Sequence, residues 1–171
     1  ARLKELDRQF GGKLHTIFST QDALEKYIPL AHSLVGAVLV PGAEAPKILT
    51  RDLLRKMRSG SVVVDVAIDQ GGCFATSRPT THTHPTYLVD DIVHYCVSNM
   101  PGAVPRTSTF ALTQATLPYI LALANKGIDR ALAEDVHLRN GLNISRGHIT
   151  HQAVASVFDK PYVSAREVLS A

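Results

Sequence analysis

Long apolar runs, cysteine pairs and basic clusters are all missing from this sequence, and each absence removes a class of function. No apolar stretch reaches the roughly 18 to 20 residues that a bilayer-crossing helix requires. The opening ARLKELDRQF is charged and helix-like where a secretory signal would be apolar. A soluble, cytoplasmic protein with no membrane partner is therefore expected. The 18 Lys and Arg residues against 15 Asp and Glu leave a formal net charge of +3, spread along the chain without a cationic run to track a phosphate backbone. Nucleic acid is not an expected partner. The two cysteines, Cys73 and Cys96, lack CxxC spacing, which speaks against a disulfide framework or a structural zinc site. Both read as reduced packing residues. No internal repeat or low-complexity tract is found.

What is present is a hydrophobic fraction of 45% over 171 residues, sufficient for one domain or parts of two. Leu3, Leu6 and Phe10 fall at helical spacing before Gly11-Gly12, a C-terminal stop. A short strand is expected at Leu14 to Phe18. Ser19-Thr20 then caps a helix from Asp22 to Ile28, ended by Pro29. Ser33 to Val40 is an apolar run of strand length broken by Pro41-Gly42. Thr50 starts a helix over RDLLRKM, SVVVDVAI forms the next strand, a long loop follows, and Ile92 to Val97 forms another strand.

Strands that alternate with helices and look apolar on both faces point to a doubly wound parallel α/β sheet. Beyond Asn99 the pattern turns helical: Thr107 to about Lys126 with Pro118 inside, then Asp129 to Arg139 stopped by Asn140-Gly141. Thr150 is placed to cap AVASVF, and Ser164 with Glu167 forms a capping box. The boundary falls near Met100 to Arg106.

In an open parallel sheet ligands collect beyond the carboxyl ends of the strands. Four such ends carry small or polar groups: Ser19, Val38 to Gly42, Asp69, and Val97 to Met100. That pattern favours a nucleotide. A dinucleotide site also needs a GxGxxG after its first strand, and the sequence has none, so the chain is expected to lack the beginning of its fold. Asp69, before Gly71-Gly72, reads equally as a turn-capping acid and as a functional carboxylate.

DVAIDQGGCFATSRPTTHTHPTY (65–87), IVHYCVSNMPGAVPRTSTFALTQATLPY (92–119) and GAVLVPGAEAPKILTRDLLRKMRSGSVVVDVAIDQGG (36–72) closely resemble the NAD-dependent alanine dehydrogenases, a likeness covering essentially the whole chain. The related NAD-binding subunit of proton-translocating transhydrogenase shares the GSVVVD strand and QGG turn. It typically lacks the acid at Asp69 and does not carry NMPGAVPRTST. The resemblance implies a partial Rossmann-type doubly wound parallel sheet over residues 1–103, followed by C-terminal helices returning to the substrate domain over residues 104–171.

It also implies NAD as cofactor, L-alanine and pyruvate as substrates, and a homohexamer. On the family pattern the Lys and His that hold and protonate the pyruvate carbonyl precede this sequence, as do the glycine loop and the ribose-binding acid. None of the eight histidines takes that role, and the isolated chain is expected to be inactive; a non-catalytic truncated remnant is the rival reading.

By the same resemblance Asp69 stands beside nicotinamide and substrate and orients the amino group or a water. Asn99, flanked by Val97, Ser98 and Met100, closes the other side of the pocket, its alternative being a turn Asn. Val66, Ala67 and Ile68 line the nicotinamide while serving as core. Val38 and Leu39 pack on the adenosine side, where Pro41-Gly42 lets backbone approach. Ser19 matches a position near the adenine or is a helix N-cap. Arg2 approaches the adenosine end or is a solvated helix cation, and Arg78 contacts the cofactor or is an ordinary loop cation. His82 and His84 in THTHP, and His148 and His151 in HITH, lack the further ligands a metal needs. No metal site is expected. His94 reads as a satisfied, semi-buried strand histidine.

Overall fold

The computed structural model describes residues 1–41 and 44–170. They group into two compact units, one of Ala1–Ala37, Pro46–Ile68 and Gly72–Val97, the other of Val38–Ala45, Asp69–Gly71 and Ser98–Ala171. No helix among the described residues is long and apolar enough to cross a membrane.

The first unit is a mixed α/β assembly. Helix α1 (Arg2–Phe10) ends at Gly11, whose left-handed backbone (φ 56°) returns its N–H to Asp7 O. The strand expected at Leu14 to Phe18 is absent: that segment finds no described strand to pair with, and a strand exists only through its ladder. Helix α2 (Gln21–Tyr27) is capped by Thr20, whose Oγ1 accepts from Ala23 N at 3.2 Å, so Ser19 stands outside the cap. Strand β1 (Ser33–Gly36) is half the length of its apolar run. Helix α3 (Arg51–Leu54) starts where Thr50 Oγ1 accepts from Leu53 N at 3.2 Å. It stops after four residues because Lys56 and Met57 bond three residues back instead of four.

Strands β2 (Val62–Asp65), β3 (Thr86–Val89) and β4 (Ile92–Tyr95) complete a sheet of order β1-β2-β4-β3. The first three strands in that order are parallel, and β3 runs antiparallel to β4. Two sequence expectations change here. The stretch 61–68 is not one strand: β2 ends at Asp65 because that carboxylate captures the Ala67 N–H at 3.1 Å, turning the backbone into a 3-10 helix (Val66–Gln70). Nor is burial continuous, since β2 alternates half-buried and buried positions and Val35 on β1 is 61% exposed.

The expected long loop contains β3, joined to β4 by Asp90-Asp91 with φ of 51° and 60°. Two consecutive left-handed residues make the tight turn whose twist matches a hairpin. Asp90 also holds α3 from outside, its carboxylate accepting from Arg51 at 2.8 and 3.0 Å and from Arg55 at 3.0 and 3.4 Å. The core of this unit includes Val63, Ile92, Cys96, Leu49, Leu54 and Phe74, all buried. Gly36 is required there, for a Cβ would stand 2.4 Å from Cys73 Sγ and 2.5 Å from the Phe74 ring.

The second unit is mainly helical. Helix α4 (Pro105–Lys126) carries Pro118 inside it. The single helix expected over 129–139 is two, α5 (Ile128–Glu134) and α6 (Val136–Asn140). Asp135 breaks the run in an extended conformation and caps α6 by accepting from His137 N at 2.8 Å and Leu138 N at 3.1 Å. Strands β5 (Ile144–Ser145) and β6 (His148–Ile149) form a small hairpin across Arg146-Gly147. Helix α7 (Gln152–Val157) begins at His151; Thr150 is buried and donates instead to Leu142 O at 2.7 Å. Ahead of α8 (Ala165–Ser170) the capping box forms, with Ser164 N donating to Glu167 at 3.0 Å and Glu167 N to Ser164 Oγ at 3.3 Å.

Candidate functional site

Register places the carboxyl ends of the three parallel strands side by side, Gly36 opposite Asp65 and Val64 opposite Tyr95. The segments that follow these strands, Val38–Ala45, Asp69–Gly71 and Ser98 onward, fall in one compact unit. Two of them touch directly: Ala45 N donates to Gln70 O at 2.8 Å, and a Cβ on Gly71 would lie 2.6 Å from the Glu44 carboxylate. The segments beyond β1 and β2 are thus tied to one another.

The segment after β2 is organised by Asp65. This carboxylate is fully buried and accepts from five donors. Oδ1 receives Ala67 N at 3.1 Å and Cys73 Sγ at 3.4 Å; Oδ2 receives Cys73 N at 2.8 Å, Phe74 N at 3.3 Å and the Ser77 hydroxyl. A buried charge persists only when its lone pairs are filled, and here backbone donors fill most of them. Gly72 completes the fit with φ 77°, since a Cβ there would meet Asp65 Oδ2 at 2.8 Å and Ser77 Cβ at 2.9 Å.

Four residues on, Asp69 behaves oppositely. It lies exposed in the 3-10 helix while Ala67 and Ile68 are buried and Val66 is 49% exposed. Sequence reasoning singled out Asp69 and passed over Asp65, although an acid inside a β-branched run followed by two glycines was a signal for a turn built around a buried carboxylate.

The other candidates divide. Val38 is half-buried and Leu39 is 69% exposed; Gly42 lies outside the described residues. Val97 is fully buried, Ser98 and Asn99 are exposed, and Met100 is half-buried. Asn99 adopts the left-handed conformation (φ 59°, ψ 51°) that Asn tolerates, and its carbonyl accepts from Gly102 N at 2.9 Å to start a 3-10 turn. A hollow of about 680 Å³ opens beside it, walled by Pro101, Gly102, Pro105, Ser108 and Leu112.

Arg78 lays its guanidinium 4.0 Å from the centre of the Tyr87 ring and donates its backbone N–H to Tyr87 OH at 2.9 Å. Arg2 forms a surface ion pair with Glu5 at 2.8 Å, and Ser19 is exposed.

The first unit also holds a polar cluster that the sequence reading touched only at His94. His94 is buried, donates Nδ1–H to Ile92 O at 2.9 Å, and accepts at Nε2 from Thr76 Oγ1 at 2.7 Å. Burial lowers its pKa, so the ring is held neutral. Tyr87 stacks on it at 5.0 Å and donates its hydroxyl to Thr76 O at 2.9 Å. Burial first, and the hydrogen bond with Cys96 second, push the Tyr87 phenol above its ordinary value. Among the described residues no three His, Cys, Asp or Glu side chains gather as a metal site would require.

A family model described as alanine dehydrogenase/PNT, C-terminal domain, matches residues 1–152. The chain belongs to this family. It is 58% identical to an alanine dehydrogenase of Halomonas elongata over 98% of its own length and 45% of that protein. Against alanine dehydrogenase 2 of Staphylococcus aureus the identity is 51%, with the same coverage of both chains. The chain therefore spans less than half the length of the curated relatives it matches.

Among solved structures, an L-alanine dehydrogenase superposes with a TM-score of 0.79 at 49% identity, over 92% of this chain and 44% of the other. A transhydrogenase from Sinorhizobium meliloti gives a TM-score of 0.63 at 21% identity over 88% and 40%, a likeness of fold alone. The mixed α/β architecture with its parallel strands is thus the family's.

Proposed function

We propose that this chain serves NAD-dependent alanine dehydrogenation: L-alanine, NAD and water give pyruvate, ammonium, NADH and a proton. The observation that carries the reading is the joined pair of segments beyond β1 and β2, which holds an exposed carboxylate on a tightly tied turn, in a chain 49% identical to a solved L-alanine dehydrogenase. Residues 1–103 act as the later part of the nicotinamide-binding domain and residues 104–171 as helices of the substrate domain. The assembly is a cytoplasmic homohexamer, as the resemblance implies.

The residues present suit the nicotinamide and adenosine ends of NAD. Exposed Val66 and Leu39 offer apolar faces, and exposed Ser98 and Asn99 offer groups that donate and accept hydrogen bonds. Val38, Ala67, Ile68, Val97 and Met100 support these contacts from partly or fully buried positions. Arg2, Ser19 and Arg78 serve the adenosine side and neighbouring loop. Nothing in the sequence supplies a glycine fingerprint for the pyrophosphate.

The nicotinamide supplies the two-electron acceptor when bound. Asp69 is the proposed catalytic group: as a carboxylate it attracts the substrate ammonium, orients its amino nitrogen, and holds the water that replaces it.

The test is alanine-dependent formation of reduced nicotinamide by the gene's complete product, followed by absorbance, with glycine, serine and glutamate as competing substrates. Turnover with alanine well above the others is expected. The isolated 171-residue polypeptide is expected to give none. No alanine turnover by the complete product, or clear turnover by the isolated chain, would each overturn part of this reading.

A further inference from the structure

We infer that Asp65, together with Ser77 and Gly72, is a positioning device that fixes the Asp69 turn, so that two acids four residues apart divide the work of one loop. This rests on the proposed role of Asp69. Three facts carry it. The Asp65 carboxylate is fully buried, and its contacts lie on both sides of Asp69 along the chain: Ala67 N before it, Cys73 N and Phe74 N after it. Gly72 N also returns to Ala67 O at 3.0 Å, closing the same loop at its neck. Finally, the Ser77 hydroxyl occupies Oδ2 from a segment outside the loop, and Gly72 is the residue whose missing Cβ leaves room for that contact.

A loop tied at both flanks to one charge has few ways to move its exposed residues. Such pre-organisation is what a reacting group needs, because small displacements from the productive geometry cost rate steeply. Asp65 itself has its lone pairs occupied by backbone and side-chain donors and meets no solvent, so it acts through the loop and not on substrate. Ser77 is the removable part of the device: its hydroxyl gives Asp65 one charge-assisted hydrogen bond and accepts a long one, 3.9 Å, from Cys96 Sγ, while its backbone N–H stays on Phe74 O in any variant.

The experiment compares Ser77→Ala and Ser77→Thr with the wild type in two readouts. In amide hydrogen exchange on the complete gene product, Ser77→Ala should accelerate exchange of residues 67–74 by about tenfold, the worth of one lost hydrogen bond to a charged acceptor, with β1, β2 and β4 unchanged. In the complete gene product the same variant should lower kcat by about tenfold with KM for NAD within about twofold of wild type, and Ser77→Thr, which keeps the hydroxyl, should restore both readouts.

No acceleration in residues 67–74, or equal acceleration throughout the sheet, overturns the device. An unchanged kcat beside a loosened loop overturns its bearing on the reaction. If the wild-type product lacks alanine turnover, the proposed function fails, and exchange alone still decides whether Asp65 and Ser77 pin the turn.

Discussion

Replacing Gly72 by Ala separates the cost of backbone conformation from the cost of crowding Asp65, because Gly60 provides a matched control. Both glycines are left-handed, at φ 77° and 79°. A Cβ at Gly60 meets nothing within 4 Å, whereas one at Gly72 meets Asp65 Oδ2 at 2.8 Å, Ser77 Cβ at 2.9 Å and Ile68 Cδ1 at 3.3 Å. The left-handed conformation costs an Ala about 1–2 kcal/mol at either site. Crowding adds about 1–3 kcal/mol when neighbours cannot withdraw, and the Asp65 carboxylate cannot move without loosening five hydrogen bonds. Gly60→Ala should therefore lose about 1–2 kcal/mol and Gly72→Ala about 2–5 kcal/mol of unfolding free energy. Urea denaturation of the two variants measures the difference. Equal losses would show that the Asp65–Ser77 contact leaves more room than the geometry allows.

Two further expectations concern pH. Burial lowers the folded-state pKa of His94 below the ordinary 6.5, so the unfolded chain takes up the proton first. Its contribution to stability is complete above that pH and is lost as pH falls below it; His94→Gln should flatten this fall in denaturation midpoints between about pH 7.5 and 5.5. Hydrogen bonds from Arg51, then Arg55, hold the Asp90 carboxyl well below its ordinary 3.8. Stability from this clamp is present above that value and lost as pH drops through it towards the folded-state pKa, and Asp90→Asn should remove that part of the acid sensitivity in the same assay.

The alternation of strands and helices was legible because period and punctuation agreed: Gly11 ended α1, Thr50 capped α3, and the Ser164–Glu167 box preceded α8. The hairpins were hidden by unusual turn residues. Asp90-Asp91 and Arg146-Gly147 each take two consecutive positive φ angles, a turn more readily recognised from Asn-Gly. In β3 and β4 the two alternating runs TYLV and IVHY stood two residues apart, so a pairing signal was present.

Side-chain competition explains other departures. Asp135 cut one helical pattern into two by capping the second half, and Asp65 ended a strand that β propensity would have continued. Of the candidate site, Asp69 and the loop segments came from motif and position. Asp65, Ser77 and Thr76 did not, since their roles arise from contacts across 8 to 18 residues of sequence that local pattern does not contain.

The most direct test of the central claim, that the exposed acid of the pinned turn works on substrate, is the kinetics of Asp69→Asn in the complete gene product, read beside its affinity for NADH. Turnover with alanine should fall by about a hundredfold or more, the usual worth of a positioned acid or base, while NADH binds within a few-fold of wild type. An Asp69→Asn enzyme that turns over alanine at the wild-type rate would contradict the account.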